Sequence, residues 1–386
     1  MDSPRNIALV HDWLVSMRGG EKVLEILCEL FPQATLFTLV HQKGSACPTI
    51  EQMKITTSVL QKFPFGQSHY QYFLPLFPSI VKGLDLSDFD LVISSSHAAA
   101  KGVRVSNKAL HICYCHTPMR YIWDQYDNYF GADRSSIFTR AAIRLSVGYL
   151  RRWDVENSKK VHCFIANSVN VQKRIKVIYQ RESDIIYPPV DIHRFFPSEQ
   201  HNDYYLIVSA LVPYKRIDIA IDTFNQLDER LIIIGDGIEE KRLKVRAKKN
   251  IEFIGWVSDR ELEQYYAGCK AVIFPGEEDF GIVPVEAMAS GKPVIAIAKG
   301  GTLETVVDGK TGVLFQEQNV ESLMKAVQSF SDKTFNPIEI RNHTFQFDRS
   351  KFKDTIEKYI QSKWSEYLIG VDDKPHSLPQ PLAKWG

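Results

Sequence analysis

The chain has 386 residues, of which 44% are hydrophobic and 24% charged, the balance of a water-soluble globular protein rather than a disordered or membrane-spanning one. Lys and Arg number 47 against 46 Asp and Glu, so a net charge of +1 supplies no field to draw in nucleic acid. This length exceeds what one hydrophobic core usually holds, and two domains are expected.

The six cysteines, Cys28, Cys47, Cys113, Cys115, Cys163 and Cys269, show no paired Cys-x-x-Cys spacing and read as buried thiols of a reducing compartment. The opening Met-Asp-Ser-Pro-Arg-Asn has no basic flank leading into an apolar core, and no apolar run reaches bilayer length. A cytoplasmic protein is the expectation.

Residues 7–10 form a short apolar strand that runs into a loop ending in Gly19-Gly20. Helical spacing of Val23, Leu24, Leu27 and Phe31 follows, and Pro32 ends it. A glycine pair at a helix start offers bare N–H groups to an anion, with a tight turn as the equal alternative. The loop lacks Gly-x-Gly-x-x-Gly, which argues against an NAD enzyme. Strand and helix pieces continue through residues 34–110, with an aromatic, proline-bearing cluster at 70–77 that suits packing or the wall of an acceptor loop.

Residues 111–120 read as a strand passing into a loop. Alternation along that strand separates Cys113 and Cys115 from His116, and no distant pair completes a tetrahedral set, so no metal is expected. His116 falls just past the strand end, where open α/β sheets place their ligands; the alternative is a hydrogen-bonded loop histidine. Residues 134–160 make a helical pattern whose Arg140, Arg144, Arg151 and Arg152 imply a solvated face. Peripheral contact of residues 134–152, from Arg134 to Arg152, with the inner face of a membrane is the minority alternative. A strand at 161–166, a helix at 168–179 and the proline-bearing stretch 185–203 close the first half.

The βα alternation then restarts, implying a second parallel sheet. Residues 205–211 are its first strand, and Val212-Pro213-Tyr214-Lys215-Arg216 leads into a helix. Strands follow at 231–234 and 251–257, the first ending in a glycine turn around Asp236, which either touches a ligand or caps the next helix. The buried strand at 271–274 stops at Pro275-Gly276. After it come Glu277, Glu278, Asp279, Phe280 and Gly281, and then an apolar helix with Pro284 near its start. That helix start can hold a phosphate, with Gly281 allowing close approach. Glu278 and Glu286 have seven residues between them, one in the loop and one in the helix. One carboxylate can therefore meet a sugar while the other accepts hydrogen bonds from a ribose diol.

This pair, followed by Gly-Lys-Pro-Val-Ile-Ala at 291–296 and Gly-Gly-Thr-Leu-Glu at 300–304, resembles the donor-binding motif of retaining glycosyltransferases of family 4. The resemblance runs from the first glycine loop to the last helix and is most specific between Lys215 and Phe315. It implies the α/β GT-B fold: two Rossmann-like, doubly wound parallel-sheet domains facing a cleft, with a C-terminal helix crossing back to the first domain. The expected division is residues 1–190, 191–345, a crossing helix at 346–370 and a loose tail at 371–386.

The resemblance also implies roles. Gly19 and Gly20 would lie against the donor diphosphate and His116 near the donor sugar. Lys215 would pair with the phosphates, and the backbone around Val257 would meet the nucleobase. Asp279, Phe280, Gly281 and Ile282 would line the donor site, Glu278 would act on the sugar, and Glu286 would hold the ribose. Ala210 stands where the family carries an arginine for the phosphates, a departure for which Arg216 is the available compensation. The implied activity is front-face hexosyl transfer without metal or other cofactor, from UDP-glucose or alternatively GDP-mannose. The implied acceptor is a glycan or lipid-linked glycan in polysaccharide assembly. A UDP-sugar epimerase of the same fold and a noncatalytic carbohydrate-binding protein are the rival readings.

Overall fold

The computed structural model describes residues 4–124, 137–198, 202–331 and 333–372. Its first lobe is built on seven strands, β1 (Ile7–His11), β2 (Thr35–Thr38), β3 (Lys54–Thr57), β4 (Leu91–Ser96), β5 (Leu110–Cys115), β6 (Cys163–Ala166) and β7 (Asp184–Ile185). They lie side by side in the order β3-β2-β1-β4-β5-β6-β7. The second lobe has six, β8 (Tyr205–Val208), β9 (Leu231–Ile234), β10 (Ile251–Gly255), β11 (Val272–Phe274), β12 (Val294–Ile297) and β13 (Gly312–Phe315), in the order β10-β9-β8-β11-β12-β13. Every pairing in both sheets is parallel. Central strands such as β1 and β11 are buried along their whole length, which is why they read as unbroken apolar runs rather than alternating ones.

Both sheets reverse their winding beside the first strand of the lobe, between β1 and β4 and between β8 and β11. A doubly wound sheet opens a crevice at that point, past the carboxyl ends of its strands. His11, the Ser95–His97 corner and His116 therefore collect at one crevice. The Lys215 turn and the acid loop after Phe274 collect at the other.

The last helix, here α6 (Arg349–Asp372), returns to the first lobe, as the GT-B expectation requires. Phe352, Ile356 and Ile360 bury into the core formed by α1 (Gly19–Leu30), β1 and β5. The Phe352 ring packs edge-on against Tyr114 at 5.8 Å. Arg349 pairs with Glu29, Lys353 Nζ lies 3.0 Å from Glu29 Oε2, and the Tyr359 hydroxyl donates to Asp184 at 2.9 Å. Each buried side chain of this kind stabilises by roughly 1.5–3 kcal/mol, so the helix holds its face firmly.

Some expectations shift. The strand beginning at Tyr205 ends at Val208, because Leu211 N–H turns away to Asp236 O at 2.7 Å. The following helix has Glu239, not Asp236, at its N-cap position, and no side chain caps it. Cys28, Cys113, Cys115 and Cys269 are buried, but Cys47 and Cys163 are only half-buried. The long basic helix runs Ile137–Ser158. Arg134 and the side chains of Arg140 and Arg144 lie outside the described residues, as does the tail beyond 372. Arg151 is used internally: its Nε–H donates to Ile122 O at 2.7 Å and its guanidinium stacks on Trp123. Among the described residues no helix is long and apolar enough to cross a membrane.

Candidate functional site

The acid loop is shaped by glycine. Gly281, at φ 88, turns the chain into α5, a helix spanning Ile282–Ala289, in a conformation that disfavours a side chain. A Cβ on Gly301 would fall 2.2 Å from Phe280 O, so only glycine lets the loop after β12 nest under the acids, where Gly301 N–H donates to Glu278 O at 2.9 Å.

This nesting turns Glu278 toward the Lys215 turn, and its carboxylate contacts the Lys215 ammonium. Lys215 also lies over the Tyr214 and Phe274 rings, 5.6 and 6.0 Å from their centroids. Burial, then the charge of Arg120, pulls its pKa down to about 8; Asp279 opposes this and Arg18 adds to it. Glu286 projects from α5 and accepts the Tyr266 hydroxyl at 3.0 Å through Oε2, while burial pushes its carboxyl up. Phe280 is directed into the core against Tyr187 and Phe347. Val257 likewise packs its side chain inward beyond the end of β10.

Two residues expected at the donor pair with other side chains of the protein. Asp279 reaches across the lobes: its carboxylate lies 3.2 Å from Arg120 Nε and 3.9 Å from Arg174 Nη1, and it accepts from Asn170 Nδ2 at 3.3 Å. Arg216, in left-handed backbone, turns its guanidinium to Asp218 at 3.1 Å. A second bridge between lobes is made by Glu304, whose carboxylate caps α3 (Val169–Tyr179) by accepting from Val169 N at 2.7 Å and Asn170 N at 3.0 Å.

On the facing lobe, Gly19 begins α1 directly against α5. A Cβ there would stand 2.7 Å from Ile282 Cδ1. Two helix starts, one from each lobe, thus meet in the cleft with their positive ends and free N–H groups.

Gly20 lies over His11 and His116; a Cβ would come 3.5 Å from each. Below it runs a chain of polar groups. Glu21 Oε1 is 3.4 Å from His11 Nε2, His11 Nδ1 is 3.1 Å from Ser95 Oγ, and Ser95 Oγ is 2.8 Å from His116 Nε2. Burial works against the Glu21 carboxylate, but the His11 hydrogen bond holds it ionised. An ionised carboxylate can only accept, so His11 donates Nε2–H and, when neutral, bares Nδ1. Ser95 then gives its proton to His11 and accepts from His116 Nε2–H. The Nδ1 of His116 is left as an acceptor. Burial, then His97 and His11, pushes the pKa of His116 down to about 3, so this imidazole stays neutral. Asp12 anchors the same corner: burial raises its carboxyl, yet His97, His11 and backbone N–H groups outweigh this and leave it lowered. It accepts four N–H groups, those of His97, Ala98, Ala99 and Ala100, at 2.6–2.9 Å.

Sequence reasoning singled out His116 but not His11, Asp12, Ser95 or His97. The signal was available: three strands in the sheet, β1, β4 and β5, each run straight into a histidine. Arg120 and Arg174 carried no local signature, and Glu304 stood in the 300–304 segment with no sign of its partner, since all three pair with the other lobe.

Residues 191–344 match the family model described as Glycosyl transferases group 1. The matched residues include Lys215, Glu278 and Glu286, on which the sequence resemblance rests. Among the relatives, an uncharacterized glycosyltransferase of Methanocaldococcus jannaschii is 33% identical over 190 residues, covering 46% of this chain and 51% of that protein. A GDP-mannose-dependent alpha-mannosyltransferase of Mycobacterium tuberculosis is 34% identical over 137 residues, 32% of this chain and 36% of that protein. This chain thus spans about half, or less, of the length of these two relatives. In fold, the chain is similar to Anabaena HepE crystallised with UDP-glucose, at a TM-score of 0.68 and 19% identity over 92% of this chain and 99% of that one.

Proposed function

We propose that the chain transfers a hexose from a nucleoside diphosphate sugar to a glycan acceptor, with the anomeric configuration retained. One observation carries this reading. The start of α1 at Gly19 meets the start of α5 at Ile282, with Lys215 and Glu278 beside them. Helix N-termini and a lysine stabilise the charge that grows on a departing diphosphate, without reorganisation at the moment of reaction.

In this reading the bond from C1 of the sugar to the phosphate oxygen breaks, and a bond from C1 to an acceptor oxygen forms on the same face. The acceptor proton passes to the leaving phosphate. Glu278 faces the positive charge at C1 once a diphosphate draws Lys215 away. His116 Nδ1 accepts a sugar hydroxyl, Glu286 takes the ribose, and the backbone N–H groups of 280–282 take the phosphate. The Ala210 vacancy is countered by Arg18, exposed at the lip of α1 and close enough for its charge to act on Lys215.

For the donor, UDP-glucose is the first reading, in keeping with the HepE complex of like fold. GDP-mannose is the second, favoured by the mannosyltransferase matched at 34% identity. A lipid-linked glycan in polysaccharide assembly, presented at the inner face of a membrane, is the acceptor class in keeping with either donor.

The test incubates the purified chain with each donor and a lipid-linked oligosaccharide fraction, and reads product linkage by proton NMR. An α-linked product from one donor supports the proposal. Sugar released as an epimer without acceptor favours the epimerase, and no conversion of either donor removes the transferase reading.

A further inference from the structure

Beside the donor residues the cleft widens into a cavity of about 510 Å³ walled by both lobes. Three arginines and two acids line it: Arg120 from the helical turn Arg120–Trp123, Arg174 on α3 and Arg216, whose guanidinium is held by Asp218, with Asp124 and Glu277. None of Gly19, Gly20, Lys215, Glu278 or Ile282 belongs to its wall, yet Glu277 does, one residue from Glu278. The cavity therefore opens next to the place proposed for the sugar.

The arginines are held, but incompletely satisfied. Arg120 and Arg174 share one carboxylate, Asp279, and Arg174 also contacts Asp124. The Nε–H of Arg174 is buried with no acceptor, and that of Arg120 lies 3.2 Å from Asp279 Oδ2 but out of line with it. Buried donors left short of acceptors gain from an anion that supplies oxygens. The turn bearing Arg120 is fixed in place, because Trp123 Nε1–H donates to Asp154 at 2.9 Å and Asp154 is itself buried against Lys101. Guanidinium forks suit the paired oxygens of phosphate or carboxylate; neutral sugar hydroxyls do not call for the two that Arg120 and Arg174 bring from the first lobe.

We propose that this cavity binds an anionic acceptor, one that carries a phosphate or carboxylate close to the hydroxyl receiving the sugar. The inference rests on the transferase reading and names the substrate class for it. The anion has two sources, the diphosphate of a lipid-linked glycan or the carboxylate of a uronic acid residue.

The test titrates the full chain, saturated with UDP or GDP, with geranyl diphosphate and separately with methyl glucuronide, by calorimetry. One probe should bind as an additional equivalent, and which one does so identifies the source. Arg174→Gln should weaken that second event at least tenfold and leave nucleotide affinity within twofold. Arg174→Lys, which keeps the charge and the fold but loses the fork, should weaken it by a smaller factor. If a chain that binds nucleotide takes up neither probe, or if Arg174→Gln weakens nucleotide as much as probe, the acceptor site is overturned. If neither UDP nor GDP binds while a probe still does, it is the donor reading that has failed, and the acceptor role falls with it.

Discussion

The Lys215 ammonium touches the Glu278 carboxylate across 63 residues of sequence, and both belong to the wall of the cleft. Each neutralises the other until a ligand arrives. If the diphosphate takes Lys215 and the sugar takes Glu278, the two can be separated by mutation. Glu278→Gln should lower kcat by about 100-fold, the scale of losing a preorganised electrostatic group, with nucleoside diphosphate affinity little changed. Lys215→Ala should weaken that affinity by roughly tenfold, as expected for a hydrogen bond to a charged group. Equal losses of turnover and affinity in Glu278→Gln would show that it does not act on the sugar alone.

The same lysine sets a pH dependence. Burial and the Arg120 charge hold its pKa near 8, and a bound diphosphate must raise it. Between about 8 and the ordinary lysine value, complex formation should therefore take up a proton, and affinity should fall as pH rises past 8. For folding the sign is opposite: the unfolded chain binds more protons than the folded one in this window, so this group's penalty on stability shrinks as pH rises. Calorimetry of UDP and GDP binding in buffers of different ionisation enthalpy measures the uptake, and zero uptake at pH 9 would show Lys215 untouched by the diphosphate.

Much of this site was legible because it is local. Gly281 before an apolar helix, Pro275-Gly276 after a buried strand, and Glu278 and Glu286 on either side of a helix start are all neighbours in sequence, and their conformations follow from propensity and capping. Gly19 and Gly20 were legible for the same reason. The pairing of the Asp279 carboxylate with Arg120 and Arg174 was not, because both partners come from the other lobe. Nor was the pairing of Arg216 with Asp218, which accompanies left-handed backbone at Arg216. The His11–Ser95–His116 chain joins three strands through side chains 84 and 21 positions apart, a separation that no periodicity reports.

The loop that positions Glu278 depends on Gly301 having no side chain. A Cβ at that position would meet backbone, 2.2 Å from Phe280 O and 2.3 Å from Phe280 Cα, so nothing flexible can yield. Gly301→Ala should displace the acid loop and lower both thermal stability and turnover. Gly309→Ala is the control: its Cβ meets nothing within 4 Å, although its φ of 74 carries its own backbone strain. It should cost stability of about 1–2 kcal/mol through backbone strain but leave the acid loop and kcat in place. Thermal melts alongside donor turnover make the comparison, and an active, fully stable Gly301→Ala would show that the nesting is dispensable.

Ser95 stands between two histidines and has one proton to give. With His11 neutral and its Nε2–H given to Glu21, the Ser95 proton goes to His11 Nδ1, and His116 then presents Nε2–H to Ser95 and is left with a bare Nδ1. Ser95→Ala deletes both hydrogen bonds and releases His116 to either tautomer. The expected result is a fall in kcat of roughly tenfold with the donor KM nearly unchanged, the size of one or two lost buried hydrogen bonds. Ser95→Thr, which restores the hydroxyl, should recover most of it. Nitrogen-15 NMR supplies a readout that simple loss of packing would not move: His116 should be the Nε2–H tautomer in the parent chain and a mixture in Ser95→Ala. A parent chain carrying the proton on Nδ1 would reverse both hydrogen bonds of Ser95 while His11 still donates to the Glu21 carboxylate, and His116 would then be a donor to the sugar instead of an acceptor.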